Sequence, residues 1–321
     1  MTERSAQTAL IEVDGLTKVF RDFWMRPRIK AVDGISLTIK RGEVFGLLGP
    51  NGSGKSTTLK MLLGLLHPTA GRISIFGRSA SDEQAKSRIG YMPEETYLYK
   101  YLTARETLMF YSNLFDLTAA QRKERTAQLL EMVGLQTSGD RRIGEFSKGM
   151  ARKIALAQAL INDPELLILD EPTSGLDPVA CRQVKDLVIA LAKRGKTIVL
   201  ASHLLADVED ICSQIAILYN GRVHVQGTVN EMLEDRKRLS LTLDSIEPAV
   251  LESVLASIAR ETGHRPEVRH PTYTLEEFFV EIVAKAKCAE TSTSEQPGTV
   301  APYLAGGPAE QQTTKNQAGH P

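Results

Sequence analysis

Apolar residues in this chain follow two rhythms, and the switches between them lay out the elements. Near the N-terminus Ile11-Glu12-Val13 reads as a strand, and Val32, Ile35, Leu37 and Ile39 punctuate polar neighbours up to the turn Lys40-Arg41-Gly42. Three short runs are apolar almost throughout: Glu43 to Leu48, Leu166 to Asp170, and Thr197 to Ser202. Runs of that length read as buried strands. Gly71 to Gly77, Ile89 to Glu94, and the pair Ile215 to Tyr219 and Arg222 to Val225 around Asn220-Gly221 add further strands. Between them the spacing turns helical. Thr58 to Leu66 predicts a helix stopped by His67-Pro68, and Asp177-Pro178 starts one that ends near Gly195, with the acid as cap. Two capping boxes, Thr103 with Glu106 and Thr118 with Gln121, open helices in the stretch from about 95 to 160. Strand and helix alternate from Ser147 to Val225. The expected fold is α/β, a mostly parallel sheet covered on both faces, with an antiparallel β portion near the N-terminus and a helical subdomain inserted at about 95–160.

Beyond Asp235 the texture shifts. Residues 1–235 are expected to form one domain and 236–287 a small appendage, in which Thr274-Leu275-Glu276-Glu277 caps a last helix. In 288–321, Thr, Ser, Gln, Pro, Gly and Ala dominate, a composition expected of a disordered tail. Lys+Arg and Asp+Glu balance at 39 each, so the global charge calls for no nucleic acid or anionic surface. Cys181, Cys212 and Cys288 form no metal or redox pattern and suit a reducing cytoplasm. The N-terminus lacks the apolar core of a signal peptide. No apolar run approaches the ~20 residues that a membrane span needs. Any membrane role is therefore expected to run through a partner.

Candidate chemistry concentrates at the ends of the buried strands. Gly49-Pro50-Asn51-Gly52-Ser53-Gly54-Lys55-Ser56-Thr57 fits G-x-x-x-x-G-K-[ST], and it lies between a strand and a helix. Glycines there let successive N–H groups point at an anion, and the helix start adds its own. Lys55 is expected to reach the β- and γ-phosphates and the Ser56 hydroxyl to ligate Mg²⁺. Asp170 and Glu171 close a buried strand where α/β sheets place ligands; Asp170 would hold Mg²⁺ through water and Glu171 would polarise the attacking water. His203 follows another buried strand. From spacing alone it is as readily a structural histidine as a group that reaches a γ-phosphate.

These motifs, with Phe146-Ser147-Lys148-Gly149-Met150, Leu169-Asp170-Glu171-Pro172-Thr173, Ser174-Gly175-Leu176-Asp177 and Ser202-His203, occur in an order that resembles ATP-binding cassette (ABC) ATPases, over roughly Ala9 to Leu233. The resemblance implies a P-loop NTPase fold and ATP hydrolysis with Mg²⁺. It implies that Lys55, Ser56 and Thr57 bind phosphate and metal, that Glu171 is the catalytic base, and that His203 senses the γ-phosphate. Ser147 and Gly149 would contact the nucleotide of a second subunit in a head-to-tail dimer, expected to be a homodimer, and Asp177 would join the two sites. Phe20 matches the family's adenine-stacking aromatic, although Phe23 and Trp24 in the basic stretch after it compete. Glu94 stands where the family usually has glutamine and brings an acid towards Mg²⁺; Lys148 replaces a signature glycine and either points away from the nucleotide or adds charge to it. Phe-Ser-Lys-Gly-Met and Leu275-Glu276-Glu277-Phe278-Phe279 look like the exporter branch, whose membrane permease subunits are separate polypeptides. That implies a cytoplasmic protein, peripheral on the inner face of the membrane. The rival expectations are a soluble relative acting on nucleic acid or ribosomes, and an importer subunit.

Overall fold

The computed structural model describes residues 9–24, 26–233, 247–263, 266, 268 and 300–304. The helix expected at Thr274 lies outside them. Two compact units partition the chain, one comprising Met1–Val229 with Ser292–Pro321 and the other Asn230–Thr291.

In the first unit, β1 (Ala9–Arg21) and β2 (Pro27–Lys40) pair antiparallel as a long hairpin, with Phe20 opposite Ile29 and Arg21 opposite Pro27. The basic stretch after Phe20 thus belongs to strand ends and a tight turn, closed by Asp22 N–H to the Arg26 carbonyl (3.0 Å). β3 (Val44–Leu48) is buried throughout and leads into α1 (Lys55–Leu62). α1 stops a turn earlier than His67-Pro68 suggests. Gly64 takes a left-handed φ of +62°, and the N–H groups of Leu65 and Leu66 both donate to the Lys60 carbonyl, which ends the helix before the proline. β4 (Ala70–Ile75) and β5 (Arg78–Ser79) complete a four-stranded antiparallel sheet in the order β2-β1-β4-β5.

A second sheet forms from β3, β6 (Ile89–Met92), β7 (Leu166–Asp170), β8 (Thr197–Ser202), β9 (Gln214–Tyr219) and β10 (Arg222–Thr228), ordered β10-β9-β3-β8-β7-β6. Its neighbours pair parallel from β9 to β6, and β10 is antiparallel to β9. β7 and β8 carry no exposed residue, which is why their sequences do not alternate. One continuous core joins the two sheets through Ile11, Ile39, Phe45, Leu59, Ile168 and Val199, all fully buried.

A short α2 (Glu83–Lys86) precedes β6, and the helical stretch holds α3 (Ala104–Ser112) and α4 (Ala119–Met132), each opened by the expected capping box. α5 (Lys148–Ala159) packs against both. α6 (Pro178–Lys193) starts with the Asp177 carboxylate accepting from the Ala180 N–H (2.9 Å), and α7 (Leu205–Ile211) follows β8. The expectation of disorder over 288–321 fails at residues 300–304. Val300, Ala301 and Leu304 are buried. The Arg194 guanidinium donates to the Ala301 carbonyl (2.9 Å), the Tyr303 hydroxyl to the Leu160 carbonyl (3.1 Å), and Arg125 lies 4.5 Å from the Tyr303 ring centroid. Average composition hid four apolar side chains that are enough to seat a single turn.

Candidate active site

Parallel pairing puts the C-terminal ends of β3, β8 and β7 side by side on one sheet edge, with Leu48 opposite Ser202 and Asp170 opposite Ala201. The phosphate-type loop leaves β3, Glu171 leaves β7 and His203 leaves β8. Three chain segments remote in sequence therefore meet at adjacent positions.

The loop is tight. A Cβ on Gly49 would stand 2.2 Å from the Leu218 carbonyl oxygen, and one on Gly54, at φ +105°, would stand 2.5 Å from the Ala31 carbonyl oxygen. Glycine is required at both positions by space. Lys55 is buried, and its ammonium donates to the Gly49 carbonyl (2.7 Å) while lying 3.5 Å from Glu171 Oε1. Glu171 Oε2 is 2.8 Å from His203 Nδ1. The Ser56 hydroxyl donates to Asp170 Oδ1 (3.2 Å). Lys55, Ser56, Asp170, Glu171 and His203 are thus one contiguous cluster. Burial pushes the Asp170 carboxyl above its ordinary range; the Ser56 hydrogen bond opposes this, and the negative charges of Glu94 and Glu171 add to it. An adjacent cation relieves that situation.

Several features fit Mg²⁺ and a nucleotide triphosphate. The Ser53 hydroxyl is buried with no hydrogen-bond partner among the described residues. Gly54 caps the start of α1 without a side chain, and the first turn carries no acid, so its leading N–H groups have no protein acceptor from that source. Ser56 and Asp170 offer hard oxygen donors, while no group of three or more His, Cys, Asp or Glu among the described residues could hold a metal. Ser56 and Asp170 would hold Mg²⁺ here, with phosphate oxygens and water supplying the remaining ligands.

The profile of the ABC transporter family matches residues 32–174. An uncharacterised ABC transporter ATP-binding protein of Synechocystis is 40% identical over 258 residues, covering 79% of this chain and 73% of that one. This chain belongs to the ABC transporter family. The Nod factor export ATP-binding protein I of Burkholderia orbicola is 40% identical over 238 residues, 72% of this chain and 77% of that protein. A dimeric ATP-binding cassette solved in a post-hydrolysis state with ADP and Pi superposes with a TM-score of 0.63 at 26% identity, covering 68% of this chain and 98% of the other. The chain is the ATP-binding subunit of an ABC transporter. It binds ATP with Mg²⁺ and hydrolyses it, and subunits of this family dimerise and work with membrane components. No helix among the described residues is long and apolar enough to cross a membrane.

In this ABC subunit the signature residues lie apart from the cluster. Ser147 is the N-cap of α5, its hydroxyl accepting from the Met150 N–H (3.2 Å). Gly149 packs beside Ala180 and Leu176, and the Lys148 ammonium lies against Gly175. Lys148 is therefore directed along its own chain, towards the segment that carries Asp177. No hydrogen bond or ion pair joins Ser147 or Gly149 to Lys55, Glu171 or His203. Phe20 sits at the end of β1, 40% exposed with the Lys18 ammonium 5.5 Å from its ring centroid. Its strand partner Ile29 is two residues from Ala31, the carbonyl that touches Gly54. Phe23 and Trp24 stand at the hairpin tip, 92% and 75% exposed, edge to face with each other at 5.6 Å.

Two features escaped the sequence reading. The first is Arg152 of α5, buried, whose guanidinium donates to the carbonyls of Pro93 (2.9 Å), Glu94 and Glu171 (2.6 Å). The second is a buried polar network beneath the segment after β7. Asp207 of α7 accepts from the Thr173 hydroxyl and pairs with the Lys185 ammonium (2.9 Å), which also reaches Asp210 (2.8 Å). Burial pushes the Lys185 ammonium down, yet its hydrogen bonds to Asp210 and Asp207 outweigh burial and hold it above its ordinary value. A signal for both existed. Arg152 falls on the stripe 152-155-156-159 that α5 buries, and Lys185 lies beside the buried stripe of α6. A cation on an apolar helical face has to find acceptors.

Proposed function

We propose that this subunit powers export through separate membrane subunits, as one half of a homodimer whose two ATP sites lie between the subunits. The observation that carries the reading is the cluster Lys55, Ser56, Asp170, Glu171 and His203. In it a carboxylate is held between an ammonium and an imidazole at the edge of a phosphate cradle. Lys55 clamps the β- and γ-phosphates. Ser56 and Asp170 hold Mg²⁺, with Glu94 near enough to add its charge, and the metal supplies neutralisation of phosphate charge. Glu171 takes a proton from water, assisted by His203, which lies on its free oxygen and is exposed enough to meet the γ-phosphate. Gly49 to Thr57 supply the N–H cradle, and Phe20, on the rim next to that cradle, takes the adenine. Ser147 and Gly149 are free of their own chain's cluster and open the N-terminus of a twelve-residue helix. Presented to the nucleotide of a second copy, they complete its γ-phosphate shell, and Asp177 lies between the two sites. Export, rather than uptake, is supported by the likeness to the Nod factor export protein and by the Phe146 to Met150 signature. The surface of the loop before α3, around Glu94 and exposed Tyr97, Tyr99 and Tyr101, is where the membrane subunits dock, so the protein lies on the cytoplasmic face of the membrane.

Mixing two dead variants tests the composite site. Lys55→Ala removes the phosphate clamp and Ser147→Arg blocks the signature contact, so each homodimer is inactive. In a mixed dimer both lesions fall in one site and the other is intact, and mixing restores partial hydrolysis. Demonstrated subunit exchange without recovery, together with full activity per chain in a subunit held monomeric by dilution, overturns the shared site.

A further inference from the structure

Glu171 has a backbone φ of +51°, a left-handed conformation in a residue that is neither glycine nor asparagine. Besides a turn bond from the Ser174 N–H to its carbonyl (3.3 Å), two hydrogen bonds flank it. Its N–H donates to the Ala201 carbonyl at the end of β8 (2.9 Å), and its carbonyl accepts from Arg152 Nη2 (2.6 Å). The first bond belongs to the sheet edge. The second comes from a helix whose N-terminus is the signature segment, five residues before Arg152.

Arg152 is 3% exposed. Its Nη1 serves the carbonyls of Pro93 and Glu94, in the loop that follows β6, and its Nε has no hydrogen-bond partner among the described residues. No carboxylate oxygen pairs with it among the described residues. Burial lowers its pKa, opposed by the field of Glu94, Asp170 and Glu171. A guanidinium keeps its charge even so. A buried cation that spends its donors on three backbone carbonyls is costly to retain for packing alone, since an apolar side chain would fill the same space more cheaply. What the carbonyls have in common is position: two lie in the loop beside the proposed docking surface and one belongs to the proposed base.

We propose that Arg152 is a positioning residue. It holds Glu171 in its left-handed conformation and ties that conformation to the Pro93–Glu94 loop, so the base is aligned when α5 and the loop sit together. A shift of α5 or of the loop then acts on the Glu171 backbone directly, without passing through the nucleotide. The inference rests on Glu171 being the base.

The test compares Arg152→Gln, Arg152→Lys, Glu171→Gln and the double variant Arg152→Gln/Glu171→Gln. ATP turnover is expressed per ATP-binding site counted by titration, so that loss of folded protein does not enter. Misplacing a catalytic group by about 1 Å costs on the order of 10²-fold. Arg152→Gln therefore lowers kcat roughly 30- to 100-fold, with KM and ATP affinity within about twofold of wild type. Arg152→Lys, which keeps the charge but not the fork, falls between. In the Glu171→Gln background the Arg152 change adds under about threefold, because there is no base left to misalign. A kcat for Arg152→Gln within about threefold of wild type overturns the proposal, as does a parallel loss of ATP affinity or a full additional loss in the double variant. Should Arg152→Gln give no folded protein, the Lys variant carries the same comparisons. Near-normal turnover of Glu171→Gln alone removes the base instead, and so separates that failure from a failure of Arg152.

Discussion

Replacing Lys185 by Met should reveal how much the segment after β7 depends on the charge network beneath it. Lys185 and Asp207 have side chains only 3% and 6% exposed and lie 2.9 Å apart, whereas Asp210, the other partner, is 46% exposed. The Asp210 contact is therefore screened and contributes under about 1 kcal/mol. The cost lies with Asp207, which the change leaves as a buried carboxylate facing the Thr173 hydroxyl without its cation. Breaking a buried pair from one side costs about 3–5 kcal/mol. For a unit of this size that corresponds to a fall in Tm of about 6–20 °C. Urea unfolding of Lys185→Met, Asp207→Asn and the double variant measures it. Asp207→Asn keeps an acceptor for Thr173 and removes the charge, so the double variant should recover at least about 2 kcal/mol relative to Lys185→Met. The sign with pH follows from the direction of the shift. The Lys185 ammonium is held above its unfolded value, so its stabilisation is complete below about pH 10 and is lost only as pH rises further. A loss under about 1 kcal/mol for Lys185→Met, or a double variant no more stable than the single, would refute the reasoning.

Glu171→Gln should retain ATP affinity and lose about 10²- to 10⁴-fold in turnover, the usual worth of a general base; equilibrium binding and steady-state hydrolysis decide it. Trp24 is the sole tryptophan. Its emission should be that of an indole in water, strongly quenched by acrylamide, and unchanged by ATP; a large nucleotide-dependent blue shift would move adenine stacking from Phe20 to the hairpin tip. Glu165 is held below the usual carboxylate range chiefly by its hydrogen bond to Arg88, with Arg41 adding to it. Its stabilisation is present above about pH 4.3 and disappears as pH falls through the lowered value, so the stability difference between Glu165→Gln and wild type should vanish at acid pH and stay under about 1 kcal/mol above it. Leu304→Ala removes a fully buried side chain and should cost about 2 kcal/mol or more in denaturant unfolding; a loss under about 0.5 kcal/mol would refute the seating of 300–304.

The parallel sheet was legible because burial on both faces removes alternation, and β3, β7 and β8 announce themselves as unbroken apolar runs. Helix starts were legible where a side chain does the capping, at Thr103, Thr118 and Asp177. Helix ends were harder: Gly64 outcompeted the Pro68 signal because a left-handed glycine stops a helix at once, while a proline only forbids its continuation. The cluster of Lys55, Ser56, Asp170, Glu171 and His203 could be anticipated because motifs at strand ends inherit their neighbours from the sheet. The left-handed Glu171 could not, and Arg152 was legible only as a cation on a buried helical face, not as the donor to the Glu171 carbonyl. Backbone conformation and three-carbonyl contacts leave no fixed spacing in a sequence. The seat of residues 300–304 escaped for a different reason, since window composition averages away one buried turn.

The strand order β3-β8-β7 also bears on which changes of chain length the protein can accept. Phosphate loop, base and histidine hang from three hydrogen-bonded neighbours, so their separations are multiples of the strand spacing and cannot be adjusted by loops. Inserting or deleting one residue inside any of the three turns every later side chain of that strand to the opposite face and carries the attached group out of line. The antiparallel hairpin of β1 and β2 has no such obligation at its tip. Length variation should therefore collect at Asp22–Arg26, where an added residue lengthens an exposed ribbon and leaves the catalytic edge untouched. A library of single-residue insertions along the chain would show this as a silent window at the hairpin between two intolerant stretches of sheet.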